Sequence, residues 1–358
     1  MARPRSTSSS AAAPRPATLK TLAASLGLGI TTVSDILLRG KTNYKTATIA
    51  RVREAAEAAG FRPNALAQGM RGQKTQTIGL LITMNIVDPF FAELVNRLES
   101  RFEQAGFMVI LSISENDIEK DKRALRFFES RRVDGLVIGP IYNLRGTIDQ
   151  SSHYQTSLPT VKILSSPENL TDCVSINHRR MGRIAVEHFL ARGHSRMGYL
   201  MCPDFPRKHQ GSTPFRGFYE ALHRRRLFRD EWIWIDNHPA AERAYAQMQH
   251  ILATAPRTSL PTAFFCHNDY CASGAMAAVR EAGLDIPGHF SFMGCDNIKT
   301  APFFNPPLTT IDLKPVELAD HAFSLLIERM RHPRQPARYV EIEPALIERN
   351  SISAPVPH

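Results

Sequence analysis

The sequence predicts an all-α amino-terminal module of helix-turn-helix type, followed by an α/β core of two doubly wound, parallel-sheet halves. Three observations carry that prediction. Residues 19–38 hold two short helical stretches, each with one apolar face, joined by Gly27-Leu28-Gly29. From residue 77 onward, buried-strand runs alternate with amphipathic stretches, as in a parallel sheet with crossover helices. Charge is also uneven: residues 1–72 contain 11 Lys and Arg against 3 Asp and Glu, while the other 286 residues carry 33 against 31.

Taken in order, residues 1–17 (MARPRSTSSSAAAPRPA) read as a disordered basic arm, because the prolines break any amphipathic helix and no apolar run is present. Thr18 is an N-cap, and Leu19, Leu22, Ala23 and Leu26 form one face of the first helix. The second helix has Val33, Ile36 and Leu37 inside. In a helix-turn-helix this second helix enters the major groove, and Ile30, Thr31 and Asp35 are the expected base readers on its outer face. For Asp35 an alternative stays open, a solvated helix-end charge paired with Arg39. The module spans 18–62 and is followed by a hinge helix and linker over 63–74.

The core covers 75–350. TIGLLIT begins the first half and is followed by a helix with Phe91, Leu94, Val95, Leu98 and Phe102 at helical spacing, then FMVILSIS, a charged helix and VDGLVIGP. A second series runs from about 174 to FSFMGCDN. LTTIDL, VELADHAFSLLIERM and ARYVEIEPALIER look like extra elements that tie the halves together. The expected division is a first lobe of about 75–173 plus 300–315, a second of about 174–299 plus 316–350, and a tail over 351–358. Ligands of such sheets bind beyond the carboxyl ends of the strands, here at loops after Thr83, Gly139, Cys202 and His267.

The pieces TLKTLA, GITTVS, GFRPNALAQGMRG, TIGLLI, DPFF, RVDGLVIG, GCDN, PPLTTI and LIERNS together closely resemble the lactose and galactose repressor family, from Thr18 to about Asn350. The resemblance implies a core like that of type I periplasmic binding proteins and a dimeric repressor on a palindromic operator, controlled by a small molecule between the lobes. It implies further that Thr18, Thr32, Ser34, Asn43 and Tyr44 meet DNA, several of them as phosphate positioners. Asn64, Ala67, Met70 and Arg71 fall on the implied hinge helix, with Met70 as the apolar wedge in the minor groove. Asp35 departs from the basic or donor-bearing residue common at its position, and implies an operator unlike the common half-site.

For the effector, the resemblance points to Phe90, Phe91, Asn177, Asp269 and Asp296. Three of them have a structural alternative: Phe91 begins the apolar face of its helix, Asp269 follows Asn268 at a helix start, and Asp296 could orient a crossover loop. The Arg expected three residues before Gly217 is replaced by Pro214, so Lys208 and Gln210 become candidates for the polar grip. The effector expected is a sugar, sugar acid or nucleoside-like molecule.

Other classes fit poorly. There is no GxGxxG after the first strand, no P-loop, no GxSxG and no HExxH, so neither an enzyme nor a cofactor is expected. The longest apolar run, 78–87, is interrupted by Thr83 and Asn85 and is far shorter than the roughly 20 residues of a membrane helix. Five cysteines without a CxxC pair suit buried thiols in a cytoplasmic protein, and the Cys266–Cys271 spacing matches no zinc pattern. No Leu heptad follows Asn350, so assembly beyond a dimer is not expected. A two-lobed sugar-binding protein without DNA function is the rival reading, and the helix-turn-helix opposes it.

Overall fold

The computed structural model describes residues 17–38, 41–61, 74–84, 88–140, 154–165, 171–202, 213–236 and 240–356. Two compact units divide the chain, Met1–Thr75 and Gln76–His358. The arm at 1–16 and the hinge segment 62–73 lie outside the described residues.

In the first unit, helix α1 (Leu19–Leu26) starts at a reciprocal cap. Thr21 N donates to Thr18 Oγ1 at 3.2 Å, and Thr18 N donates to Thr21 Oγ1 at 2.8 Å. Two of the helix's orphan donors are thereby satisfied. The helix stops at Gly27, whose φ of 65° is left-handed. Helices α2 (Ile30–Leu38) and α3 (Thr46–Ala58) follow, and Leu22, Ala23, Val33, Ile36, Val52 and Ala56 make a small core.

The second unit opens with β1 (Thr77–Ile82), α4 (Pro89–Gln104), β2 (Met108–Ile113), α5 (Ile118–Ser130), β3 (Gly135–Gly139), β4 (Thr160–Ile163) and β5 (Asp172–Ile176). The chain then crosses into α6 (His178–Ala191), β6 (Met197–Cys202), α7 (Pro214–His223), β7 (Ile233–Ile235), α8 (Ala241–Thr254), β8 (Ala263–Cys266), α9 (Asp269–Glu281), β9 (Ser291–Cys295) and β10 (Thr309–Asp312). It returns through α10 (Pro315–Arg331) and β11 (Tyr339–Ile342), and crosses again to β12 (Ala345–Ile347).

Two six-stranded sheets result, ordered β11-β5-β4-β3-β1-β2 and β12-β10-β9-β8-β6-β7. All pairings are parallel except β10 with β12. Burial on both faces explains the continuous apolar strands; β1, β3, β6, β8 and β9 are almost wholly inside.

The expected lobe division is corrected at its late segments. Strand β10 bonds to β9 in the second sheet, whereas α10 packs on α4, β3, β4 and β5, and β11 pairs with β5. Residues 309–312 therefore belong to the second lobe and 315–342 to the first. A strand pattern in sequence states that a segment is buried; it does not state which sheet edge accepts it.

Close helix packing fixes two glycines. A Cβ on Gly182 in α6 would overlap the Pro214 carbonyl at the start of α7, and one on Gly217 in α7 would overlap the Arg179 carbonyl in α6. Gly217 is thus the contact point of the FRGF stretch. Neighbouring Arg216 turns to Glu220, which also takes Arg179, each at 2.5 Å.

Candidate functional site

On the amino-terminal unit, Ile30 is half exposed although apolar, and Thr31 beside it is exposed. Both occupy the first turn of α2. Asn43 and Thr18 are exposed, Thr32 is half-buried and Ser34 is buried.

Asp35 contradicts its expected place on the outer face. Its side chain is 6% exposed, and Oδ2 accepts from Lys41 Nζ and from the Tyr44 hydroxyl, each at 3.0 Å. The helical wheel put Asp35 outward because it treats a carboxylate as solvent-seeking. Two donors from the following connection reverse that preference. Arg39, the other expected partner, lies outside the described residues, as do Asn64, Ala67, Met70 and Arg71.

In the core, a polar cluster forms where the lobes meet. Asp88 caps α4, with Oδ1 accepting from Phe90 N at 3.0 Å, and Pro89 opens the helix. Asn268 caps α9 on the other lobe, where its Oδ1 accepts from Cys271 N at 2.9 Å. Its side chain also faces Asp88 from the other lobe and favours the ionised Asp88 carboxylate. Burial raises the Asp88 carboxyl above the ordinary range, and Phe90 N and Asn268 oppose the rise.

Asp269 is fully buried. Oδ2 accepts from Ile298 N at 2.9 Å and Oδ1 from the Thr310 hydroxyl at 2.5 Å, while Gly294 leaves room for the carboxylate that a Cβ would occupy. Burial pushes this group up to about 7. Both oxygens serve the protein, so Asp269 holds the 296–298 loop. Arg349 assists from beyond β12, with Nη2 on Asn297 Oδ1 and Nη1 on the Leu308 carbonyl, both at 2.7 Å.

Asp296 is placed differently. Its φ of 105° is a conformation few L-residues adopt. Its backbone N donates to the Ile311 carbonyl at 2.8 Å, yet among the described residues its carboxylate makes no side-chain hydrogen bond. It is half-buried at the lobe junction and lines a groove of about 640 Å³ together with Glu93, Lys299 and Lys314. Burial, then the charges of Asp88 and Asp269, raise it well above the ordinary range. Two imidazoles, His178 and His267, are pushed by burial down to about 4 and are neutral at physiological pH.

Phe90 and Phe91 are both buried, edge to face at 5.1 Å. Asn177 caps α6 through Oδ1, and its Nδ2 reaches Glu343 Oε1 at 2.9 Å, tying the first lobe crossing to the third. Lys208 and Gln210 lie outside the described residues. Sequence reasoning passed over Asp88, although Asp-Pro-Phe-Phe carries a helix-start signal, and it passed over His178, which no local pattern marks; His267 entered only as the strand end before an expected ligand loop.

A helix-turn-helix unit joined to a two-lobed core with a polar cleft is the build of a ligand-controlled DNA-binding regulator. The periplasmic binding protein-like domain matches residues 186–352. The transcriptional repressor PurR of Pectobacterium atrosepticum is 33% identical over 340 residues, covering 94% of this chain and 97% of that protein. That of Pasteurella multocida is 30% identical over 341 residues, 94% of this chain and 99% of its own. A lac repressor dimer bound to operator and the anti-inducer ONPF superposes with a TM-score of 0.81 at 24% identity, covering 95% and 100%. The chain belongs to the lactose/galactose repressor family, and is a DNA-binding transcriptional repressor with a small-molecule effector domain.

Proposed function

We propose that the chain acts as a cytoplasmic, non-enzymatic homodimer whose headpieces read two half-sites of a palindromic operator, and whose interlobe cleft takes a neutral, donor-rich effector. The observation that carries the cleft assignment is Asp296, a half-buried carboxyl group on the interlobe groove with a strained backbone and no protein side-chain partner among the described residues. Asp269, Thr310 and Arg349 hold its loop. Asn177 and Asp269 become supports of this site rather than direct contacts.

Asp88, Asp269 and Asp296 share the lobe junction and already oppose one another's ionisation, so an anionic ligand such as a sugar acid would add a further like charge. Lys299 and Lys314 on the groove are paired with Glu93 and Glu317. A sugar or a nucleobase presents hydrogen-bond donors without negative charge. A related family regulator from Enterococcus faecium holds ribose, and the relatives named above carry the name PurR. If effector and operator favour different lobe arrangements, each changes the other's affinity by the same factor.

Thermal-shift screening of neutral sugars, sugar acids, nucleobases and nucleosides tests this reading. A binder at 100 times its Kd stabilises by about 2.7 kcal/mol. Asp296→Asn is expected to abolish that shift while leaving the unliganded melting temperature within a degree or two. An unchanged shift in Asp296→Asn, or a hit confined to acids, would count against it.

A further inference from the structure

We infer that Asp35 is a positioning residue for DNA binding: it reads no base, but pins Lys41 and Tyr44, from the connection after the recognition helix, onto α2. The inference rests on the headpiece being the DNA-reading part of the chain.

Asp35 holds that connection at three points. Its carbonyl accepts from Lys41 N at 3.0 Å, and its carboxylate Oδ2 accepts from Lys41 Nζ and the Tyr44 hydroxyl at the same distance. The connection leads directly into α3, which starts at Thr46, and the Tyr44 ring packs against the small apolar core. Asp35 therefore fixes how α2 and α3 are joined as well as where two side chains lie.

For Asp35 to reach a base edge it would have to abandon both donors, leaving a tyrosine hydroxyl and an ammonium without their acceptor. It would also bring a bare carboxylate toward the phosphates. In the observed arrangement Lys41 offsets that charge, and Lys41 itself is about half exposed, with side-chain exposure of 47%.

Base reading is then confined to the first turn of α2, where Ile30 and Thr31 face solvent. An exposed isoleucine at that point suits the C5-methyl group of thymine. Asn43 and Thr32, beside the pinned connection, remain available to phosphate oxygens.

The test uses the full-length protein: wild type, Asp35→Asn, Asp35→Ala, Tyr44→Phe and the double variant Asp35→Ala/Tyr44→Phe. Each is used to select duplexes from a random pool and is then titrated on the wild-type selection across a salt series. Asp35→Ala is expected to weaken specific binding on the order of tenfold and Tyr44→Phe by up to that factor, the loss expected when a charge-assisted hydrogen bond is removed. The double variant should be no weaker than Asp35→Ala, Asp35→Asn should recover part of the loss, and all should select the wild-type base sequence. With Lys41 released, the salt dependence of Asp35→Ala steepens by about one phosphate contact.

A changed base at one operator position in Asp35→Asn would make Asp35 a reader and overturn the inference alone, as would strictly additive losses. Should Asp35→Ala fail to fold by circular dichroism, the base selected by Asp35→Asn and the loss of affinity in Tyr44→Phe decide in its place. Failure of the wild type to select any duplex would overturn the inference together with the DNA-reading function beneath it.

Discussion

Asp269 and Asp296 lie 27 residues apart in sequence, beside each other in space, and in opposite roles. One carboxylate spends both oxygens on the fold, and the other is held open by that expenditure. Burial lifts Asp269 from 3.8 to about 7, so the folded core binds its proton more tightly than the unfolded chain does. That contribution to stability is fully present below about pH 3.8 and is lost as pH rises through about 7. His178 and His267 act in the other sense. Lowered from 6.5 to about 4, they contribute above pH 6.5, and the contribution is lost as pH falls through 4. Acidification from about pH 8 to 6.5 should therefore raise the melting temperature, Asp269 acting together with the raised Asp88 and Asp296. The two imidazoles should blunt the rise as pH falls through 6.5 toward 4. Asp269→Asn should flatten the upper arm in calorimetric melts; an undiminished slope would assign it elsewhere. At this scale the sequence was legible where a residue's role is local. Thr18 as a cap follows from its neighbours, but the inward turn of Asp35 depends on Lys41 and Tyr44, six and nine residues on.

Helices were legible because burial repeats every 3.6 residues, and strands because segments buried on both faces read as continuous apolar runs. Less legible was where the late elements dock. The LTTIDL and VELADHAFSLLIERM patterns are equally satisfied by either lobe, and parallel pairing to β9 and packing on α4 decide between them. Strands β4 and β5 escape a reading by apolar runs because Lys162, Asp172 and Ser175 interrupt them, although both strands are buried. Helices α6 and α7 show what a pattern does reveal once contacts are known. Gly182 and Gly217 bring two backbones together, so Gly217→Ala must push the helices apart. A loss of about 1–3 kcal/mol is expected in urea unfolding of the full chain, because overpacking forces backbone shifts. A loss below about 0.5 kcal/mol would mean that the helices slide freely.

On the scale of the whole chain, charge and topology divide the labour. The basic excess confined to residues 1–72 predicts that operator affinity falls steeply with salt while effector affinity is nearly unaffected. Filter-binding and calorimetric titrations from low to high salt would show it; parallel losses of both affinities would contradict the assignment.

Topology has a separate consequence for how such a protein can be recombined. Three crossings, at 176–178, 312–315 and 342–345, interlace the lobes, so either lobe is encoded in separate pieces. The headpiece unit, by contrast, is one uninterrupted stretch ending at Thr75. Replacing the DNA-reading unit by gene fusion requires a single junction. Replacing one lobe requires at least the three between the lobes, each cutting a segment on which the cleft's geometry depends. Operator choice is thus the readily exchanged property of this chain, and effector choice changes by substitution within a lobe.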